Sequence, residues 1–460
     1  MADDAALFGA AAQRFETAQA MYRAGRSHAY VPDLRRYVAV DAARRGPEAR
    51  LGLSTATRAY MKRRIWRALR KRGAVGDPAF AALAAGFLLA LGPEDLDPPT
   101  RWTAWGRKPD GTWGRQARAR GPLGRNWTAS QLLYRHAPEA RPRTGSLTFL
   151  ETGAIDPDRR DEAFPDLWSA RPDLALRLAA EGRVEPVARL GLRVLRADPR
   201  ACAALDAAAI GRLLGAPHDA VRTFAFQTAQ ARLAAGIADP ADLAALVAAL
   251  LTAALPEARA LALRRLAAGA PVAWSNPDLA AALLTSPEPD VQAALPGLAR
   301  ALFPGLAAPL VARLVAWLRA MPAEPDAAAT AAIRGLRAAL PLLWPDRDLP
   351  VASETAAALI AHPAAAVRSA GLALLAQSKA RAAGLPPESW DALIGAESED
   401  IRVAALALLA RLDDARLGSY ADRVVAFAGG PGSAVRQAAR PLVARLAAAD
   451  PDLAPALPGS

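Results

Sequence analysis

Arginine interleaved with tryptophan is the chemistry this sequence offers first. Residues 101–121, RWTAWGRKPDGTWGRQARARG, hold three tryptophans and six Arg or Lys residues against one acid, Asp110. Guanidinium groups reach phosphates in bidentate fashion and indoles stack on exposed bases, so the mixture suits nucleic acid. The candidates for phosphate contact are Arg107, Lys108, Arg115, Arg118, Arg120 and Arg125, with Trp105 and Trp113 for stacking. The opposing reading is that Trp102, Trp105, Trp113 and Trp127 pin a connection onto a helical body. No acid occurs from Gly111 to Pro138. Residues 92–127 show neither helix nor strand periodicity and read as a long loop, a length that is usually functional or disordered above about fifteen residues.

A second basic segment precedes it. From Ala49 to Gly76 there are nine basic residues and no acid. YMKRRIWRALRKRG reads as a helix with Met61, Ile65 and Leu69 on one apolar line, Trp66 beside it and Gly73 as its end. Arg63, Arg67 and Arg70 then share a face, with Lys71 adjoining. Like charges at these spacings repel by about 0.2–0.5 kcal/mol a pair unless something neutralises them. Phosphates would supply the countercharge. A solvated face, or salt bridges to Asp156, Asp158, Asp161 and Glu162, would account for it equally.

Other chemistries have less to stand on. No G-x-x-x-x-G-K-[ST], G-x-S-x-G or H-E-x-x-H pattern occurs. GGPGSAV at 429–435 reads as a turn before a helix. His28, His136, His218 and His362 are scattered, and the last two fall in inter-helix turns that suit capping better than metal ligation. The carboxylates of ETGAIDPDRRDEAFPD could include a general acid and base, which only geometry would reveal. A single cysteine, Cys202, rules out an intrachain disulfide or a multi-cysteine zinc site. No cofactor and no metal is expected.

What positions these groups is read from composition and repeats. Apolar residues make up 53% of the 460, much of that alanine, a strong helix former that lets helices approach closely. No long uncharged apolar run occurs, and MADDAALFGAAAQRF has acids where an export signal needs a basic start. A cytoplasmic protein with no membrane partner is expected. The net charge of +12 is uneven: residues 1–150 carry 26 basic and 12 acidic residues, a net of +14, and the remainder nets −2. So localised an excess points to a polyanionic partner, DNA or RNA, through residues 50–135.

The last two thirds repeat. HDAVRTFAFQ, EPDVQAALPG, AAAVRSAGLA, EDIRVAALAL and SAVRQAARPL start helices of one kind, and Val367, Ile401 and Val435 are 34 residues apart. Degenerate copies near PEARALALRRL and AAATAAIRGL fill the gaps, and EPVARLGLRVL extends the series upstream, giving about eight units. Apolar stripes such as Ile401, Ala404, Leu408, Leu409 and Leu412 fit one helix face. Asp219, Asp290 and Asp400 stand where an acid caps the next helix. The pattern resembles HEAT repeats, in which an Asp and a Val-Arg pair open the second helix. Arg222, Arg368, Arg402 and Arg436 match that arginine and Gln292 departs from it. An Asp–Arg ladder between neighbouring repeats is the expected role.

The fold class expected is therefore all-α: a basic helical region at 1–91, a Trp/Arg-rich loop and connecting helix at 92–146, and a HEAT-like α-solenoid at 147–460. The helical segments at 28–235, including YMKRRIWRALRKRG, DPAFAALAAGFLLAL and residues 157–195, resemble the helical region of bacterial proteins that join a WGR domain to HEAT-like repeats, among them molybdate metabolism regulators. That resemblance implies a bacterial, non-enzymatic, DNA-associated scaffold. Trp105–Arg107 spells WGR, but that domain needs several β-strands, which DPPTRWTA and KPDGTWGRQ do not suggest. The leading expectation is a non-catalytic nucleic-acid-binding protein. A protein-interaction scaffold is the alternative, and a nucleic-acid-modifying enzyme the third.

Overall fold

A computed structural model describes residues 4–18, 22–23, 25–31, 34–41, 53–107, 111–268, 276–299, 307–343, 351, 353–376, 385 and 387–449. The chain forms two compact units, Met1–Ala234 and Ala235–Ser460. It is mostly helical. The all-α expectation needs one correction, because the first unit also contains two antiparallel sheets.

The first unit opens with α1 (Ala5–Thr17), whose first turn is capped by the Asp4 carboxylate accepting from Leu7 N at 3.0 Å. A hairpin of β1 (His28–Val31) and β2 (Arg36–Ala39) follows. Next comes α2 (Thr55–Ala74), started by Ser54, whose hydroxyl accepts from Thr57 N at 3.0 Å. Ile65, Trp66 and Leu69 of α2 are buried, as the apolar line requires. Helix α3 (Ala79–Leu89) is apolar nearly all round and is the unit's central helix. It crosses α1 where Gly9 meets Gly86: a Cβ on Gly9 would lie 2.1 Å from the Gly86 carbonyl oxygen. Nothing larger than hydrogen fits that crossing.

Residues 100–107 and 113–120, expected to be loop, form a β-hairpin of β3 (Thr100–Arg107) and β4 (Trp113–Arg120). With β5 (Ala140–Arg143) and β6 (Thr148–Glu151) it makes a four-stranded antiparallel sheet in the order β3-β4-β6-β5. Pro142, which cannot donate to a ladder, sits on the edge strand β5. The short helix α4 (Trp127–Leu133) packs between sheet and helices, its Trp127 ring 5.5 Å from that of Phe149. One buried carboxylate holds these pieces together. Glu16 of α1 accepts from Trp127 N at 3.1 Å, Thr128 N at 3.0 Å and the Thr128 hydroxyl at 2.6 Å. It also pairs with Lys62 of α2 at 2.8 Å.

The first unit ends with α5 (Pro165–Ser169), α6 (Pro172–Glu181), α7 (Glu185–Arg196), α8 (Pro199–Ala203), α9 (Ala207–Leu214) and α10 (Asp219–Ala235). The second unit runs through α11 (Pro240–Leu251), α12 (Pro256–Ala267), α13 (Pro277–Leu284), α14 (Pro289–Ala299), α15 (Ala307–Arg319), α16 (Ala327–Leu343), α17 (Ser353–Ile360), α18 (Ala365–Ala376), α19 (Pro387–Ile394), α20 (Glu399–Leu409), α21 (Asp414–Gly418), α22 (Ala421–Gly429) and α23 (Ser433–Ala449). Its helices pack in two rows, α11, α13, α15, α17 and α19 in one, and α12, α14, α16, α18, α20 and α23 in the other. Proline at the first position of α11, α12, α13, α14 and α19 presets the helical φ where no donor is needed.

The third residue of six repeat helices, Val221, Ala258, Val291, Val367, Ile401 and Val435, is fully buried. The fourth works differently from the expected ladder. Arg222 donates to the Ala216 carbonyl at 2.7 Å, Arg259 to Ala253 at 2.9 Å, Gln292 to Ser286 at 3.2 Å, Arg368 to His362 at 2.9 Å and Arg436 to Gly430 at 3.0 Å. Each reaches six residues back to carbonyls at or just past the end of the preceding helix, which lack helical partners. The side chain is thus a clasp within a helix pair, and glutamine performs it as arginine does. Of these, Arg259 also pairs with Asp290 at 2.9 Å, in the next pair of helices. Other residues link successive pairs: Arg313 with Asp278, Arg423 with Asp391, and Arg445 with Asp414 at 2.7 Å.

Candidate nucleic-acid interface

Helix α2 leaves Arg63, Arg64, Arg67, Arg70 and Lys71 on its exposed side. Among the described residues the Arg67 side chain bonds only the Arg63 carbonyl, at 3.3 Å, and Arg64 approaches the Tyr60 hydroxyl at 3.4 Å. Of the acids expected to neutralise this face, Asp158, Asp161 and Glu162 are engaged elsewhere. Asp161 pairs with Arg159 at 2.8 Å, Asp158 with Arg196 at 2.9 Å, and Glu162 with Arg160. Of the basic run, Lys62 is the exception, buried against Glu16 and donating to the Arg125 carbonyl at 3.1 Å. Arg72 pairs with Asp77 at 2.7 Å.

The hairpin sorts the second set of candidates by face, since alternate residues of a strand point to opposite sides. The register places Trp105 opposite Arg115, Gly106 opposite Gly114 and Arg107 opposite Trp113. The two WGR tripeptides therefore pair head to tail. One face carries Arg101, Thr103, Trp105, Trp113, Arg115 and Ala117, all exposed, with Trp105 and Trp113 each 67% exposed. The other face is half-buried. Arg118 lies over Gly106, and the Arg120 guanidinium sits 5.4 Å from the Trp102 ring. Arg107 stands in β3 next to these residues, and Lys108 lies outside the described residues.

The candidates are thus separated: Arg115 accompanies the exposed tryptophans, while Arg118 and Arg120 cover the opposite face. Arg125 is elsewhere, 3.4 Å from Asp97. The tryptophans divide two and two. Trp127 is buried and Trp102 half-buried, pinning the sheet, whereas Trp105 and Trp113 reach solvent. The strands that the flanks of WGR did not suggest are present. They are hidden in the sequence because both faces mix Arg with Trp, and because the paired glycines Gly106 and Gly114 lie on the covered side.

Arg135 and His136, which were not among the expected site residues, join the α2 cations at a cleft. Arg135 is oriented by Gln131 at 2.9 Å and by the Trp66 ring at 5.8 Å. Electrostatic perturbation lies mostly away from these surfaces. The Arg159 guanidinium holds the Glu139 carboxyl below its ordinary value. Burial pushes Glu151 up, and pushes the Tyr134 phenol to about 12. The histidines of the inter-helix turns serve the backbone: His218 Nε2 meets the Gly182 carbonyl at 3.0 Å, and His362 Nδ1 accepts from Ala364 N at 3.1 Å.

Among the described residues no group of three or more His, Cys, Asp or Glu is placed to hold a metal ion, and no helix is long and apolar enough to cross a membrane. No protein-family model matches the chain, and no curated protein matches it. Among solved structures the chain is similar to Kap121p bound to Pho4p, with 16% identity and a TM-score of 0.30 over 63% of this chain and 40% of that one. It is also similar to Kap121p bound to Nup53p, with 14% identity and a TM-score of 0.30 over 84% of this chain and 41% of that one. The chain spans about two fifths of the length of those proteins. A likeness at this TM-score bears no weight for fold or function.

Proposed function

We propose that the chain is a non-catalytic, cytoplasmic binding scaffold whose paired helices are a HEAT-like solenoid that holds a protein partner. The observation that carries this reading is the clasp repeated at Arg222, Arg259, Gln292, Arg368 and Arg436. A fourth-position side chain closing five of the helix pairs, with buried third-position residues and links from pair to pair, is what stacked repeats require. Such arrays bind through extended surfaces, and the second row of helices presents exposed Arg264, Arg334 and Arg440. Affinity purification of the full chain from its native cells, against a variant with these three changed to Glu, tests it. A stoichiometric protein partner lost in the variant supports the scaffold; no partner above background, with or without cross-linking, removes it. Kinship with the helical regions of WGR-domain and molybdate-regulator-like bacterial proteins belongs to the same proposal.

A second reading, nucleic-acid binding by the first unit, is favoured by the exposed cations of α2 and the Trp105–Arg115–Trp113 face. Phosphates neutralise such a face, and counterion release makes binding salt-dependent. Fluorescence anisotropy with labelled single-stranded and duplex DNA and RNA, from about 50 to 200 mM salt, decides it. Affinity should fall steeply with salt, and less steeply when Arg63, Arg67 and Arg70 become Glu. Absence of binding at low salt would discard this reading and leave the scaffold.

A further inference from the structure

The C-terminal half of α2 borders a cleft of about 680 Å³. Arg67, Arg70, Lys71 and Arg135 line it, and no acidic side chain does. The helix dipole at the end of α2 favours cations in its last turn, which explains Lys71. It does not reach back to Arg67, and it does not explain Arg135, which comes from another element and is held in place by Gln131 and Trp66. Cations converging from two elements onto one concavity focus a positive potential there.

Apart from His136, the rest of the lining is apolar. Val75 is 75% exposed at the rim, and Phe164 lies at the wall. Phe164 adopts φ +55°, a left-handed conformation that a bulky side chain rarely takes. Its ring is locked there: it packs edge-on to Phe80 with centroids 5.0 Å apart and fills the space over Gly73, where a Cβ would lie 2.4 Å from the ring. Strain of this kind persists only where the surroundings enforce it, and it gathers at ligand sites.

We propose that this cleft binds a nucleotide, its phosphates against Arg67, Arg70, Lys71 and Arg135 and its ring on the Phe164 and Val75 side. Guanidinium groups match phosphate oxygens, and an apolar wall beside them accepts a planar base. The site is separate from the exposed hairpin face but shares Arg67 and Arg70 with the α2 face of the nucleic-acid reading, and binding of free ATP distinguishes the two. The nucleotide can be free or belong to an unpaired strand.

Titration calorimetry on the full chain with ATP and with a short single-stranded oligonucleotide tests this, using wild type, R67E/R70E, V75E and the hairpin variant R115E. The substituted residues are exposed, and circular dichroism confirms folding. The expected result is ATP binding that weakens at least about tenfold in R67E/R70E and also in V75E, and is unchanged in R115E. Oligonucleotide binding that weakens in R67E/R70E and V75E, without ATP binding, assigns the cleft to a nucleotide within a strand and also supports it. If neither probe binds, or if binding is insensitive to R67E/R70E, the inference is overturned. An oligonucleotide that responds only to R115E overturns it while sparing the nucleic-acid reading.

Discussion

Glu16 and Lys62 meet at 2.8 Å inside the first unit, both side chains buried. The carboxylate also accepts two backbone N–H groups and one hydroxyl at the start of α4. Removing one member strands the other charge in the interior, where an uncompensated ion costs about 3–5 kcal/mol. Glu16→Ala should therefore unfold the first unit at markedly lower denaturant. A midpoint within experimental error of wild type would show that the pair is not the tie described.

How much of this was legible in the sequence depends on whether a pattern had a single explanation. The repeat register did: Val221, Val291, Val367, Ile401 and Val435 are buried where their spacing puts them. The α2 helix was equally readable through Ile65 and Leu69, and Gly73, expected as its end, lies one residue before its last and is also the seat of the Phe164 ring. The β3–β4 hairpin was not legible. Arg118 and Arg120 cover its inner face, so no apolar alternation survives. The Glu16–Lys62 tie and the Arg135 cleft bring together residues far apart in sequence, and no local pattern reports that.

The clasps make unequal predictions for residues that look alike in sequence. Arg368→Ala and Arg436→Ala each remove a charged donor from a carbonyl and should destabilise by about 1.5–3 kcal/mol. Among the described residues Arg402 makes no such bond, so Arg402→Ala should stay within about 0.5 kcal/mol. Urea midpoints of the three variants check this. Equal effects at all three positions would rule out the clasp as the source of stability.

Tryptophan substitutions should separate along the two faces of the hairpin. Trp127 is buried against Phe149, and Trp127→Ala should cost about 3–5 kcal/mol. Trp105→Ala and Trp113→Ala, at exposed positions, should change stability by no more than about 0.5 kcal/mol. Thermal melts of the three variants give the comparison. A large loss at Trp105 or Trp113 would mean that these rings are structural.

Acid should weaken the fold through paired carboxylates. The Ala79 N–H and Arg72 lower Asp77, while Arg159 lowers Glu139, Arg171 lowers Asp173, and Arg313 lowers Asp278. Because the folded values lie below the ordinary 3.8 for Asp and 4.5 for Glu, their stabilisation is complete above that range. It is lost as pH falls through the lower folded values. Glu151, raised by burial, acts in the opposite sense. Denaturant midpoints should hold between pH 7 and 5 and fall below about pH 4. Flat stability down to about pH 2 would contradict these pairings.

The central claim is that the paired helices hold a protein partner, and native-cell affinity purification with quantitative mass spectrometry tests it most directly. The account predicts one protein recovered in stoichiometric amount with the full chain, and lost when Arg264, Arg334 and Arg440 are changed together to Glu. Recovery of no protein above background, or of partners indifferent to that change, would contradict it.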